Sequence, residues 1–161
     1  MKNKNHVVYG LVGALVLIVL FMIQYFAKIS SQNMVMRWVP VLVLVGVVIA
    51  GCINYSKING EDVTFGEVFG NGFKITAIIT VITCVFYGIF VSLFPDFKER
   101  AIEEAIANAP GNVNQEQLEQ GMEFTRKNFT LMMVGGALFM NLLTGVIASL
   151  IGAAVAKKRK A

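Results

Sequence analysis

The chain has 161 residues, of which 56% are hydrophobic and only 15% charged, against about 45–50% and about 25% in an ordinary soluble domain. Its charge is bunched: no Asp, Glu, Lys or Arg occurs in 5–27, 38–56, 75–95 or 128–156, stretches of 23, 19, 21 and 29 residues. A helix of about 20 residues crosses a bilayer, so these stretches exclude a soluble globular protein and predict an all-α bundle of four transmembrane helices, one integral membrane domain over 1–161.

A net charge of +4 would hint at nucleic acid in a soluble chain. Here Lys157, Lys158, Arg159 and Lys160 follow the last apolar stretch, where basic side chains reach anionic headgroups. No basic face is interleaved with stacking aromatics, so the lipid bilayer is the expected partner and nucleic acid is not.

The first span is expected over 7–27. It is longer than the roughly 7–15 residues of a signal-peptide core and no small-x-small cleavage site follows, so it reads as an uncleaved span. Tyr9 marks one edge, and Tyr25 and Phe26 the other. Lys28 ends it, and a polar turn with Ser30, Ser31, Gln32 and Asn33 leads to a second span over 38–55, with Pro40 near its first turn. So short a connection predicts antiparallel packing.

Residues 56–74 carry Lys57, Glu61, Asp62, Glu67 and Lys74, each costing about 2.5–3.5 kcal/mol at mid-bilayer, and so stay outside the hydrocarbon. Asn59-Gly60 signals a turn, and Thr64 with Glu67 fits a capping box. Phe65, Phe69 and Phe73 then fall on one helical stripe. A helix unbroken from Thr64 to Phe94 would measure about 46 Å, against about 30 Å of hydrocarbon. The favoured expectation is a surface helix that bends near Gly70 or Gly72 into a third span over 75–94.

Pro95 stops that span, and 96–127 is expected to form an extramembrane helical hairpin. Asp96 with Glu99 has cap spacing, and Phe97, Ala101, Ile102, Ala105 and Ile106 make an apolar face. Ala109-Pro110-Gly111-Asn112 breaks the helix; Asn114 with Gln117 repeats the cap spacing, and Val113 with Leu118 fits a hydrophobic staple. The second helix is free to run on into a fourth span over 129–156. Four spans put both termini on one side. That side holds eight basic residues (Lys2, Lys4, Lys57, Lys74 and the C-terminal cluster) against six (Lys28, Arg37, Lys98, Arg100, Arg126 and Lys127). The positive-inside rule then places both termini in the cytoplasm.

Ionisable residues inside a bilayer mark transport or proton relay, and none falls in a span. The polar residues there are chiefly Gln24, Thr76, Thr80, Thr83, Asn141, Thr144 and Ser149. Asn141, with Thr144 about one turn on, reads either as a ligand contact or, preferably, as an interhelical hydrogen bond of about 0.6–2 kcal/mol. Thr76, Thr80 and Thr83 share a face and can bond back to their own helix. Small residues at Ala148, Gly152 and Ala156, and at Gly135, Gly136 and Ala137, favour packing within the bundle over a dimer seam. Cys52 and Cys84 lack metal or redox spacing, and His6 is the only histidine. Asp96, Glu99, Glu103, Glu104, Glu116, Glu119 and Glu123 read as solvated helix faces, with Asp96–Arg100 and Arg100–Glu104 as i,i+4 pairs. No catalytic, cofactor-binding or metal-ligating residue is expected, and an enzyme is not.

Several strings carry a family resemblance: Tyr9-Gly10, Lys57 with Asn59-Gly60, Thr64-Phe65-Gly66, Phe69, Gly72-Phe73-Lys74, Pro95 and Leu150-Ile151. With these the chain resembles the four-span bacterial membrane proteins catalogued as domain of unknown function 4199. The resemblance implies an inner-membrane protein of Bacteroidota-type bacteria with no assigned activity, cofactor or site residues. It also implies a polyprenyl-phosphate glycosyltransferase as a candidate partner, since members are often encoded beside one. The leading expectation is a non-enzymatic accessory or scaffold protein. Its recognition surfaces are Phe65, Phe69 and Phe73 on one side and Phe97, Ile102 and Ile106 on the other. The alternative is a small homo-oligomeric transporter or lipid-handling protein for a neutral or lipid substrate, using Asn141 and Thr144.

Overall fold

The computed structural model describes residues 4–30, 33–108 and 114–157, except the side chains of Gln115 and Gln117. They form five helices: α1 (Asn5–Phe26), α2 (Met34–Ile58), α3 (Phe65–Leu93), α4 (Pro95–Ala107) and α5 (Gln115–Val155). No strand occurs among the described residues. Four of the helices, α4 being the exception, are long and apolar enough to cross a membrane, yet only 22–39% of each spanning window is buried within the chain. Leu15, Leu42, Val81, Leu131 and Phe139 point outward. So large an apolar exterior is the surface of a protein solvated by lipid.

The centre of the bundle is α3, which packs on α1, α2 and α5, with α2 also against α5. Leu17, Leu44, Val48, Cys52, Val68, Ile75, Ile79 and Ala148 fill the core. Small residues set the closest approach. A Cβ at Gly152 would lie 2.8 Å from the Cys52 Cβ and Sγ, and one at Gly72 would lie 2.7 Å from the Cys52 Sγ. One at Gly145 would collide with the Thr76 side chain. Ala148, Gly152 and Ala156 are therefore an intrachain seam, and all three are buried. Gly135 and Gly136 are not: both are exposed, with nothing within 4 Å of an added Cβ. At 100° per residue, the nine positions from Gly136 to Gly145 turn the helix half a circle, onto its opposite face.

The segment expected along the membrane surface is the first turns of α3 itself, which runs unbroken through Gly70 and Gly72. Val68, Asn71, Gly72 and Ile75 are buried there, and the Cys52 thiol donates to the Val68 carbonyl at 3.6 Å. These turns belong to the bundle. The capping box forms as expected: the Glu67 N–H donates to the Thr64 Oγ1 at 3.3 Å, and the Thr64 N–H to the Glu67 carboxylate at 2.7 Å.

Asn33 caps α2, accepting from the Val35 and Met36 N–H groups at 3.0 and 3.3 Å. The helix therefore begins before Trp38, and Pro40 lies inside it rather than in its first turn. At the α3–α4 corner Pro95 takes the first helical position and Phe94 the N-cap, so Asp96 is not a cap. Proline's fixed φ suits that first position, and the Asp96 carboxylate has other partners. Asn114 caps α5, accepting from the Glu116 N–H at 3.1 Å. The Gln117 side chain, Ser31, Gln32, the Ala109–Asn112 break, Val113 with its staple, Lys2 and the basic residues 158–160 lie outside what the structure describes.

Candidate functional site

Lys28, Arg37, Asp96 and Lys127 are each the first charge beyond a charge-free stretch, which puts one end of the bundle level with the headgroups. α5 has 41 residues, about 61 Å at 1.5 Å each, so it outreaches the hydrocarbon. Its first 13 residues, to Lys127, stand beside the 13 of α4 as an extramembrane hairpin.

Aromatic rings hold this end together. Phe90 of α3 lies 4.9 Å from Phe21, 5.0 Å from Tyr25 and 4.7 Å from Phe94, centroid to centroid. Phe97 adds Phe21 at 5.5 Å and Phe129 of α5 at 6.0 Å. Such pairs contribute about 0.5–1.5 kcal/mol each beyond area burial. Above them the Tyr25 hydroxyl donates to the Asp96 carboxylate at 2.9 Å, and Arg100 bonds the same carboxylate at 2.6 Å. The guanidinium also stands 4.8 Å over the Tyr25 ring. Hydrogen bonding from Tyr25, and then Arg100, holds the Asp96 carboxyl below its ordinary value; the bond to Asp96 pushes Arg100 up. Arg126 reaches Glu99 at 2.8 Å and ties α5 to α4.

Two concavities flank this corner. A cleft of about 310 Å³ lies between the end of α1 and α4, lined by Phe21, Gln24, Lys28, Phe97, Arg100 and Glu104 among others. A groove of about 440 Å³ runs between α4 and α5, lined mainly by Ile102, Ala105, Ile106, Leu118, Met122 and Phe129. Among the described residues no cluster of His, Cys, Asp and Glu could hold a metal ion.

Phe97 sits in the aromatic cluster, Ile102 is buried, and Ile106 lines the groove. Phe65, Phe69 and Phe73 lie at the other end of α3. Phe65 and Phe73 are exposed there, while Phe69 packs on the core and stacks on Phe73 at 6.4 Å. The two predicted sets are not brought together. Asn141 donates to the Thr83 Oγ1 at 3.2 Å across the α3–α5 interface, with Thr144 half-buried nearby on the same helix.

Sequence reasoning missed a trio of asparagines. Asn5 donates to Asn54 at 2.9 Å and Asn71 donates to Asn5 at 2.9 Å, joining α1, α2 and α3, while the Asn71 Oδ1 is buried without a partner. The signal was available: Asn5 opens the first charge-free stretch and Asn54 lies near the end of the second, which an antiparallel pair places at one level. The Tyr25–Asp96 bond gave no such signal.

Four apolar helices and a helical hairpin standing outside the bilayer define a small multi-pass membrane protein. The chain belongs to the family described as protein of unknown function (DUF4199), whose model matches residues 8–158. No curated protein and no solved structure matches it.

Proposed function

We propose that this protein is a non-enzymatic accessory or scaffold of the bacterial inner membrane that docks a membrane-associated partner through the α4–α5 hairpin. The observation that carries the reading is the apolar groove of about 440 Å³ on that hairpin, outside the bilayer where burying apolar surface is favourable. Asp96 with Arg100, and Glu99 with Arg126, are engaged in structural pairs, which favours binding over acid–base chemistry. With both termini cytoplasmic, the hairpin faces the periplasm and the Phe65–Phe73 stripe the cytoplasm, offering a second contact. A polyprenyl-phosphate glycosyltransferase is the partner that the family resemblance suggests.

Gentle extraction of a tagged chain from its native membrane, with mass spectrometry, tests this. A stoichiometric partner with the wild type, lost from Ala105→Arg in a chain that still extracts as a folded protein, is expected. Recovery of the chain alone would sink the reading. It would favour the alternative, a homo-oligomeric lipid or solute handler, for which exposed Gly135 and Gly136 would allow close approach of a second copy.

A further inference from the structure

The cleft between α1 and α4 is separate from the α4–α5 groove, and its chemistry is unlike that of the groove. Lys28 and Arg100 line it together with Glu104 and the apolar side chains of Phe21, Phe97 and Ala101. Lys28 stands where the first charge-free stretch ends, and Arg100 in the second turn of α4, just beyond the third. The two cations are therefore at headgroup depth, and Phe21, inside the first charge-free stretch, lies at the depth of the first acyl carbons.

Arg100 is positioned before any ligand arrives. Its Nη2 donates to Asp96 at 2.6 Å and its Cζ lies 4.8 Å over the Tyr25 ring, while a guanidinium has five donors in all. Lys28 has no ion-pair partner among the described residues. It follows the α1 C-cap, Ala27, and takes the left-handed conformation there with φ 51°. Its N–H bonds the Tyr25 carbonyl and the Ile29 N–H the Gln24 carbonyl, at 3.2 and 3.1 Å, an arrangement in which glycine is the usual residue.

Charge decides the ligand class. The two cations, Lys28 and Arg100, are matched by two anions, Asp96 and Glu104, so the cleft does not suit a polyanion. We propose that it binds the zwitterionic headgroup of a phosphoethanolamine lipid. The phosphodiester lies between Lys28 and Arg100, the primary ammonium faces the Glu104 carboxylate, and the glycerol end rests on Phe21 and Phe97. A volume of about 310 Å³ is at the small end for ligand sites, which fits a headgroup with its acyl chains left in the bilayer. The proposal is independent of the partner reading.

The test uses the full chain, delipidated in dodecyl maltoside and titrated under native mass spectrometry with palmitoyl-oleoyl phosphatidylethanolamine, phosphatidylglycerol or phosphatidylcholine. Soluble glycerophosphoethanolamine serves as competitor. Phosphatidylethanolamine should bind about tenfold more tightly than the other two, a charge-assisted hydrogen bond's worth. Lys28→Gly, which suits the left-handed backbone and therefore folds, should weaken all three phospholipids. Glu104→Gln should remove only the preference for phosphatidylethanolamine. Equal binding of the three lipids, or Lys28→Gly and Glu104→Gln chains that bind as the wild type does, would overturn the proposal. Competition by glycerophosphoethanolamine as strong as by the lipid would overturn the membrane-lipid assignment.

Discussion

Replacing Gly145 with alanine should separate α3 from α5. The added Cβ meets the Cγ2, Oγ1 and Cβ of Thr76, a side chain that is 0% exposed and bonds the Gly72 carbonyl at 3.1 Å. Thr76 is β-branched and stiff at χ1, so a rotamer change gives little relief and the helices must move apart. They would then loosen the neighbouring contacts of Gly72 and Gly152 with Cys52. Overpacking of this kind costs about 1–3 kcal/mol. Gly136→Ala is the internal control, because an added Cβ there meets nothing within 4 Å. An alanine in mid-helix is favoured over glycine by about 0.5–1 kcal/mol. Unfolding by increasing dodecyl sulfate fraction in maltoside micelles, followed by far-ultraviolet circular dichroism, reads both variants. The expected order of midpoints is Gly145→Ala lowest, then wild type, then Gly136→Ala at or above it. A Gly145→Ala midpoint equal to wild type would refute the seam.

The Asp96 carboxyl is lowered on folding, chiefly by the Tyr25 hydroxyl and then by Arg100. Its stabilising contribution is therefore fully present above the unfolded value, about 3.9, and is lost as pH falls through the lower folded value. Thermal stability in detergent should hold from neutral pH down to about pH 5 and fall below about pH 4, and Asp96→Asn should flatten part of that fall. Asn141→Leu removes the bond to Thr83 and should cost about 0.6–2 kcal/mol in the same micelle titration, with partner recovery unchanged. Abolished transport of a neutral or lipid substrate in that variant would instead favour the rival. Phe65→Ala with Phe73→Ala, both at exposed positions, should lower the unfolding midpoint by the loss of the Phe69–Phe73 stack, about 0.5–1.5 kcal/mol, and reduce partner recovery in the extraction assay. Full recovery would remove this end of the molecule from the docking surface.

The spans were legible because the bilayer imposes one coarse requirement, about 20 residues without charge, and four stretches meet it. Local caps were legible for the same reason of range: Thr64 with Glu67, and Asn114 as the cap of α5, act over two or three residues. Asp96 shows where that reasoning stops. Its cap spacing with Glu99 was real, but Pro95 took the first helical position and Tyr25, 71 residues away in sequence, claimed the carboxylate. The same holds for the small residues of α5. Gly136 and Gly145 look alike in sequence, yet one faces outward and the other meets Thr76; only the position of α3 distinguishes them. The α4–α5 groove was half visible, since the apolar face of α4 was evident, whereas the spacing that leaves a concavity beside Ala105 and Met122 is a tertiary property.

The central claim is that this hairpin docks a partner, and site-specific photocrosslinking in native membranes tests it most directly. A benzoylphenylalanine in place of Ala105 or Met122, both lining the groove, should yield one crosslinked species of the same mass from each position. The same group in place of outward-facing Leu143 should yield none of it. No adduct from the groove, or an identical adduct from Leu143, would contradict the account.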